Sequence, residues 1–432
     1  MLSALSAAIF LGYDYWKTHA SFPPRTFIGK IDVSLLNRAQ AIKKIEEAPE
    51  EFLFPPQITF VNSKESFSFP PEELGAAVLV EETVDQAFRL THNENYLKEL
   101  QKRLAREAIV LPFKWALDEN VARAVISQLA MSIDSPPKDA RIELIEETGG
   151  YHIYPDLPAR KLKIADTLAA AKKELSRGLT TVHLIIDYHS RPRVTAALLR
   201  SAPPVHRLSA YTTYYGTHDS PNRIHNIKLI ASWLNNTLLL SGESLSLTEA
   251  IGDFTEERGF KEAYVIMNNE LVPQLGGGTC QIGTTLYNAV SLADLEVLQR
   301  RNHSFYFNIY PLGRDATVYP GSADFKFRND SGFPVIIKAI ANNRKLSFRI
   351  YGTPTGKKVE FSAPKVFLLG PDGVFRPSTV RAAIATDYPF RTVVHREVKN
   401  SEGLIIKQED IRSYYKLYGE KSNVPIHRPE TR

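Results

Sequence analysis

The single cysteine of this chain, Cys280, follows three consecutive glycines in PQLGGGTCQIGTTLYNA, residues 273–289. Apolar residues recur at helical spacing from Gln281 onward, so the thiol is predicted at or near the N-terminus of a helix. The exposed N–H groups and the positive dipole end found there lower a thiol pKa. Cys280 is therefore a candidate nucleophile.

A nucleophilic thiol needs a base, and the base needs a group that orients it. The segment from 300 to 329 supplies His303 and then Asp315. Cysteine first, with histidine and acid later on strands, is the chain order of papain-like and transglutaminase-like enzymes, which reach the same geometry on unrelated folds. We predict a catalytic triad of Cys280, His303 and Asp315.

Other residues of the same motifs are candidates for substrate contact. Consecutive glycines let a ligand approach the main chain closely, and amides at a helix N-terminus can hold an oxyanion. The predicted oxyanion loop comprises Gly276, Gly277, Gly278, Thr279 and also Gln274, placed like the oxyanion glutamine of papain-like enzymes. Candidate substrate-binding residues are Gln281, Thr284, Arg301 and Asp324.

Two interpretations without catalysis remain open. Free cysteines are among the most buried residues, so the glycine turn could serve only to pack a helix on a sheet. His303 would then bond a carbonyl, and Asp315 would cap a turn after Gly313. The site could also bind a ligand without chemistry.

Composition excludes several other classes of site. One cysteine allows neither an intrachain disulfide nor a multi-cysteine metal site, and a net charge of +5 without a long basic run argues against nucleic acid. GTCQIGTT has the glycine spacing of a P-loop, but Thr284 replaces its lysine. His218, Asp219 and His225 are metal-ligand types in one loop, although solvated turn residues are the favoured interpretation. We predict no metal and no cofactor.

An internal repeat organises the first half of the chain. Helical, strand and helical patterns recur at a constant offset of 84 positions, as from Ile42 to Ile126 and from Val84 to Leu168. We therefore predict an α+β fold with duplicated helix, β-hairpin, helix units. The predicted domains are 21–120, 121–204, a mixed α/β domain at 205–355, a β-rich extension at 356–420 and a disordered tail at 421–432.

The N-terminal segment begins with the apolar stretch Leu2 to Leu11, followed by Tyr13, Tyr15 and Trp16, types that suit a membrane interface. Because a spanning helix needs about 20 apolar residues, we predict a signal anchor or clipped transmembrane segment at 1–20. The alternative is a buried terminal helix.

The motifs together resemble a known family. SAYTTYY, LGGGTCQIGTTLYNA, RRNHS, GRDATVYPGSADFKFRN and IYGTP stand in the order expected of the VanW family, over about residues 205–355. Residues 65–200 resemble the peptidoglycan-binding domain often found upstream of VanW domains. Two motifs depart from these patterns: SGESLSLTEAIG replaces the usual PGExFSFNxxxG, and PDLPARKL lacks a glycine.

The resemblance implies a bacterial envelope protein, attached to the extracytoplasmic face of the cell membrane and facing the wall. Its expected partner is peptidoglycan or its stem peptides, and an acyl transfer or hydrolysis by the thiol would process such a peptide. A non-catalytic wall-binding or scaffolding protein is the competing hypothesis, and an intracellular globular protein is a third. The oligomeric state stays open.

Overall fold

The computed structural model describes residues 2–92, 96–104, 108–145, 148–216, 219–267, 270–385 and 388–416. Helices and small sheets alternate along these residues, which confirms the predicted α+β class. The predicted tail at 421–432 lies outside them. Contacts divide the chain into two compact units, one of residues 1–139 and 156–193 and the other of residues 140–155 and 194–432.

The helices, in chain order, are α1 (Leu2–Thr18), α2 (Arg38–Glu46), α3 (Glu50–Leu53), α4 (Val80–Thr91), α5 (Tyr96–Leu104), α6 (Glu119–Ile133), α7 (Ile164–Leu175), α8 (Ala196–Ser201), α9 (Pro221–Leu234), α10 (Leu247–Ile251), α11 (Thr279–Leu292) and α12 (Val380–Ala385), with a 3-10 helix at Pro71–Leu74.

The strands are β1 (Thr26–Ile28), β2 (Ile31–Asp32), β3 (Ile58–Val61), β4 (Ser66–Phe69), β5 (Ala76–Val78), β6 (Ile109–Leu111), β7 (Trp115–Leu117), β8 (Arg141–Ile145), β9 (Gly150–Tyr154), β10 (Lys161–Leu162), β11 (Thr181–His183), β12 (Ile186–Asp187), β13 (His206–Tyr214), β14 (Thr237–Leu239), β15 (Ser244–Ser246), β16 (Glu262–Met267), β17 (Glu270–Leu275), β18 (Glu296–Gln299), β19 (Lys326–Arg328), β20 (Val335–Ala341), β21 (Lys345–Gly352), β22 (Lys358–Phe361), β23 (Lys365–Leu369), β24 (Phe375–Ser378), β25 (Phe390–Lys399) and β26 (Ile405–Tyr415).

The sequence repeat is also a structural repeat. Helices α2 and α4 flank the hairpin β3–β4, and α6 and α7 flank the hairpin β8–β9. Buried threonines occupy equivalent positions: the Thr83 hydroxyl accepts from the Lys114 amide at 3.0 Å, and the Thr167 hydroxyl accepts from the Ile185 amide at 3.1 Å. A side-chain acceptor inside the core thus satisfies the amide of the residue that precedes a strand in each copy.

The hairpins of the two copies belong to different compact units. Hairpin β3–β4 stays in the first unit, where β11 extends it as a parallel strand with Val182 opposite Phe60. Hairpin β8–β9 belongs to the second unit, where Ile142 joins a small cluster with Leu199 and Tyr351. The compact units therefore do not follow the boundary at residue 120 or 204 that the repeat suggests.

The second unit is built around helix α11. Sheet β13-β21-β20-β14 is antiparallel, and α9 and α11 pack on it. Almost every residue of α11 is buried, including the polar Thr284, Thr285 and Asn288, as expected for a helix enclosed on all sides. The C-terminal sheet, in which β25 pairs with β22, β23 and β26, belongs to the same unit.

Helix α1 covers most of the predicted anchor segment. Its Asp14 carboxylate accepts a hydrogen bond from Arg103 of α5 at 2.6 Å and another from the Tyr96 hydroxyl at 3.0 Å. In the part of the chain that the structure describes, no helix combines the length and the apolar character needed to cross a membrane.

Candidate functional site at the N-terminus of α11

The three-glycine turn is a tight connection between β17 and α11. Gly276 and Gly278 have φ values of +87° and +110°, which L side chains rarely adopt. A Cβ at Gly276 would lie 2.3 Å from Phe254, and one at Gly278 would lie 2.7 Å from Ile227. A Cβ at Gly277 would lie 2.7 Å from a side chain of β16. Each position therefore admits only glycine without rearrangement.

This turn places Cys280 in the first turn of α11, as the sequence predicts. Gly278 is the N-cap residue, and the helix begins at Thr279. Cys280 is partly exposed, and its thiol donates to the carbonyl of Val318 at 3.6 Å. A thiol in this position lies at the positive end of the helix dipole and remains accessible to a reagent.

His303 and Asp315 form a buried, directly hydrogen-bonded pair. Nδ1 of His303 lies 2.6 Å from Oδ2 of Asp315, and the His303 backbone amide donates to the same oxygen at 2.7 Å. The two residues are only 9% and 3% exposed. His303 also interacts with the Cys280 thiol, so the structure brings the three predicted triad residues together.

Electrostatic interactions among Cys280, His303 and Asp315 determine which of them are protonated. Burial raises the pKa of the Cys280 thiol, but the charge of His303 and a hydrogen bond with it outweigh burial and leave that pKa below its ordinary value. Burial lowers the pKa of His303, whereas Cys280 and Asp315 raise it to a net value of about 9. The arrangement favours a thiolate beside an imidazolium.

Asp315 receives two further donors that sequence reasoning missed. The Tyr415 hydroxyl donates to Oδ1 at 2.7 Å, and Arg300 lies 3.3 Å from the same oxygen. Burial raises the pKa of the Asp315 carboxyl, but the hydrogen bond and charge of His303, together with Arg300, hold it below its ordinary value. Arg300 could have been noticed in RRNHS, whereas nothing in the sequence connects Tyr415 with a residue 100 positions earlier.

Neither His303 nor Asp315 lies on a strand. Both lie in the irregular segment between β18 and β19, and α11 holds this segment in place. The Thr284 hydroxyl accepts from the Ala316 amide at 2.9 Å, and a Cβ at Gly283 would lie 2.5 Å from Val318. Close backbone approach therefore replaces strand pairing as the means of positioning.

The burial of Gln281 and Thr284 contradicts the prediction that their side chains bind substrate. Gln281 is fully buried, accepts from Arg223 at 2.8 Å and donates to Thr213 at 2.9 Å. Thr284 is fully buried and bonded to both the amide and the carbonyl of Ala316. Neither side chain has a free polar group to offer a substrate, so both hold the fold of the site.

The remaining predicted residues differ in their surroundings. The carboxylate of Asp324 accepts from Ser246 at 2.6 Å and from the Thr248 amide at 3.0 Å, so it fixes the start of α10. Arg301 is exposed and lies 3.4 Å from a backbone carbonyl. Gln274 is half-buried and accepts from the Tyr319 hydroxyl at 3.4 Å.

The predicted oxyanion loop has a restricted set of free amides. The Thr279 amide donates to the Gly276 carbonyl at 3.3 Å, and the Gln281 amide donates to the Gly278 carbonyl at 3.0 Å. Among the described backbone hydrogen bonds outside regular elements, none uses the Cys280 amide. The same holds for the amides of Gly277 and Gly278, so these three amides are the candidates to meet an oxyanion at this turn.

Arg223 and Tyr310 complete the surroundings of the thiol. Arg223 pairs with Asp219 at 2.6 Å, and its positive charge contributes to the lowered pKa of Cys280. The Tyr310 ring stacks on the His303 ring with centroids 5.4 Å apart. An aromatic cover limits water access to the imidazole and strengthens charge interactions beneath it.

The alternative metal site finds no support in the described geometry. His218 lies outside the described residues, Asp219 is paired with Arg223, and His225 lies 2.9 Å from the Gly259 carbonyl. Where side chains are described, no cluster of three histidine, cysteine, aspartate or glutamate residues could hold a metal ion.

The fold and site define a two-unit α+β protein with a cysteine, histidine and aspartate assembled at a helix N-terminus. Residues 222–351 match the family model described as VanW like protein, and residues 67–183 match one described as "Putative peptidoglycan binding domain". The chain therefore contains a VanW-like segment and a second segment similar to that other family.

Two curated relatives extend these matches. The uncharacterized protein YoaR of Bacillus subtilis is 35% identical over 162 residues, which are 38% of this chain and 53% of that protein. The vancomycin B-type resistance protein VanW of Enterococcus faecalis is 27% identical over 135 residues, which are 30% of this chain and 49% of that protein. The chain thus spans about half the length of these relatives. No solved structure matches significantly.

Proposed function

We propose that this is a peptidoglycan-associated protein whose VanW-family domain uses Cys280 as a nucleophile on an acyl group of a wall peptide. The observation that carries the proposal is the 2.6 Å contact between His303 Nδ1 and Asp315 Oδ2, with the imidazole also interacting with the partly exposed thiol. Thiol acyl transfer requires a nucleophile, a base in contact with it and an acid that orients the base.

The proposed reaction uses each group in turn. With the proton already on His303, the thiolate sulfur attacks the carbonyl carbon of the substrate amide. As the C–N bond breaks, the His303 imidazolium returns the proton to the leaving amine, which leaves a thioester on Cys280. Water or a second amine then attacks the thioester, with His303 as base, and releases the thiol. Water gives hydrolysis and an amine gives transpeptidation.

Charge that develops on the substrate oxygen would be stabilised by the helix start. Cys280 lies in the first turn of α11, where helix N–H groups have no intrahelical acceptor. Such an amide at the positive end of the dipole stabilises an oxyanion.

The first unit supports the wall as the place of action. The second family match covers residues 67–183, which include most of the helices and strands of that unit. We propose that this unit holds peptidoglycan while the VanW-family domain processes a stem peptide. The competing hypothesis, a non-catalytic wall binder, uses the same first unit without the reaction.

Purified sacculi separate these two hypotheses. Wild-type protein and Cys280→Ala are incubated with sacculi, and bound protein and released fragments are both quantified. We expect both forms to bind and only the wild type to release or exchange peptide material. Equal binding with no products from either form would support the scaffold instead.

The thiol can be tested without knowing its substrate, because Cys280 is the only cysteine in the chain. An ordinary thiol of pKa about 8.5 reacts slowly with iodoacetamide at about pH 6. We expect fast alkylation in the wild type and slow alkylation in His303→Ala. His225→Ala is the matched control, because its imidazole lies 2.9 Å from the Gly259 carbonyl in the same unit. Equally slow alkylation in the wild type would refute the activated thiol.

We further propose that α1 contacts the membrane on the extracytoplasmic side. Ile9, Phe10, Tyr13 and Trp16 are exposed on this helix, and aromatic residues of this kind favour the membrane interface. Vesicle flotation tests the contact: Trp16→Ala should bind less than wild type, and Trp233→Ala on the other unit should bind equally. Recovery of the wild type entirely in the lipid-free fraction would remove the proposal.

A further inference from the structure

The C-terminal strand β26 reaches the candidate site from outside the VanW-family match. The family model ends at residue 351, whereas Ser413 and Tyr415 lie on β26. Side chains alternate along a strand, so these two residues share one face and Tyr414 points to the other. Ser413 and Tyr415 are buried, whereas Tyr414 is exposed.

The buried face of β26 packs on the segment that carries the histidine and the acid. The Tyr415 ring contacts Phe390 and Tyr306, with centroid distances of 5.0 Å and 5.9 Å. The strand also pairs with the segment itself: the Lys416 amide donates to the Ser304 carbonyl at 2.6 Å. Position 415 is thus fixed by packing and by main-chain bonding.

Two hydrogen bonds fix the orientation of the Tyr415 hydroxyl. It accepts from the Gly313 amide at 3.0 Å and donates to Asp315 Oδ1 at 2.7 Å. Burial and the nearby Asp315 charge raise the pKa of this phenol, so it stays protonated as a donor. With Oδ1 held by Tyr415, Oδ2 of Asp315 is directed at His303 Nδ1.

Ser413 contacts Arg300, the second donor to the Asp315 carboxylate. Its hydroxyl accepts from Arg300 at 3.1 Å and donates to the Gly313 carbonyl at 3.2 Å. Arg300 also donates to the Asp315 carbonyl oxygen at 2.7 Å. One face of β26 therefore determines the orientation of both donors to Asp315 Oδ1.

We propose that Tyr415 is a positioning residue, whose hydroxyl holds the Asp315 carboxylate in the rotation that presents Oδ2 to His303. The inference rests on the proposed thiol chemistry, and it adds that the C-terminal strand is part of the reacting unit. A carboxylate free to rotate would stabilise the imidazolium less, and the thiol would lose part of its activation.

The test measures the pH profile of Cys280 alkylation in wild type, Tyr415→Phe, Ser413→Ala, Asp315→Asn and the control Tyr414→Phe. The charged or titratable groups that interact with the thiol or with Asp315 are His303, Arg300, Arg223, Tyr306, Tyr310 and Tyr415. Tyr415→Phe keeps the ring in its aromatic cluster and removes only the hydroxyl, so the fold should be retained.

We expect Tyr415→Phe to shift the pH profile of alkylation towards higher pH, because a less stabilised imidazolium raises the thiol pKa. Ser413→Ala should cause a smaller shift, and Tyr414→Phe should match wild type. The assignment is overturned if Tyr415→Phe matches wild type while Asp315→Asn is slow. It is also overturned if Tyr415→Phe is slow only with a lowered melting temperature and Ser413→Ala is unchanged. An ordinary profile in the wild type would instead refute the proposed function.

Discussion

Alanine substitutions in the glycine turn should separate backbone strain from steric overlap. Gly278 has a φ of +110°, and a Cβ there would lie 2.7 Å from Ile227 and 3.2 Å from the Arg223 carbonyl oxygen. Gly277 has an ordinary φ, but its Cβ would lie 2.7 Å from Ala263. Gly321 has a φ of +76° with no atom within 4 Å of its Cβ.

Two magnitudes of destabilisation are expected for these three positions. A left-handed residue with a Cβ loses about 1–2 kcal/mol, and overpacking a filled site loses about 1–3 kcal/mol. Restriction of the unfolded chain returns about 0.4–1 kcal/mol in each variant. We therefore expect a destabilisation of about 3 kcal/mol for Gly278→Ala and about 1 kcal/mol for each of Gly277→Ala and Gly321→Ala.

Hydrogen exchange of the buried α11 amides measures the local free energy of opening. A loss of about 3 kcal/mol corresponds to exchange roughly a hundredfold faster, whereas about 1 kcal/mol gives roughly fivefold. Gly278→Ala should also slow Cys280 alkylation, because its Cβ displaces the first turn of the helix. Equal exchange rates for Gly278→Ala and Gly321→Ala would refute the close packing of the turn on α9.

Three further outcomes follow from contacts in the second unit. The rate of peptide cleavage should decline as the pH rises through about 9, because His303 then loses the proton that the leaving amine needs. A cleavage rate that keeps rising above that pH, measured in a stopped assay, would contradict this. Arg396→Met should destabilise the unit by about 2 kcal/mol in a denaturant titration, since buried Asp294 loses one charged hydrogen bond and keeps that of Lys357; no change would contradict it. Ser246→Ala should lower the free energy of unfolding by about 1 kcal/mol, because Ser246 caps α10 and donates to Asp324. Equal denaturant midpoints for the variant and the wild type would contradict this.

The sequence by itself determined the local features of the site. Glycines before a helical pattern place Cys280 at the start of α11, because only glycine adopts the φ values that this turn needs. The residue types of His303 and Asp315 sufficed to nominate base and acid. The repeat at an offset of 84 predicted the duplicated elements, since equal patterns fold into equal local structures.

Tertiary structure alone decided which polar residues face each other. Gln281 and Thr284 sit in the most informative motif, yet close packing on all sides of α11 turns them inward. Tyr415 reaches Asp315 across 100 positions because β26 pairs with β25 in a register that no local pattern encodes. Spacing along the chain specifies turns and helices, whereas contacts between distant segments depend on how whole elements pack, which is a property of the complete fold.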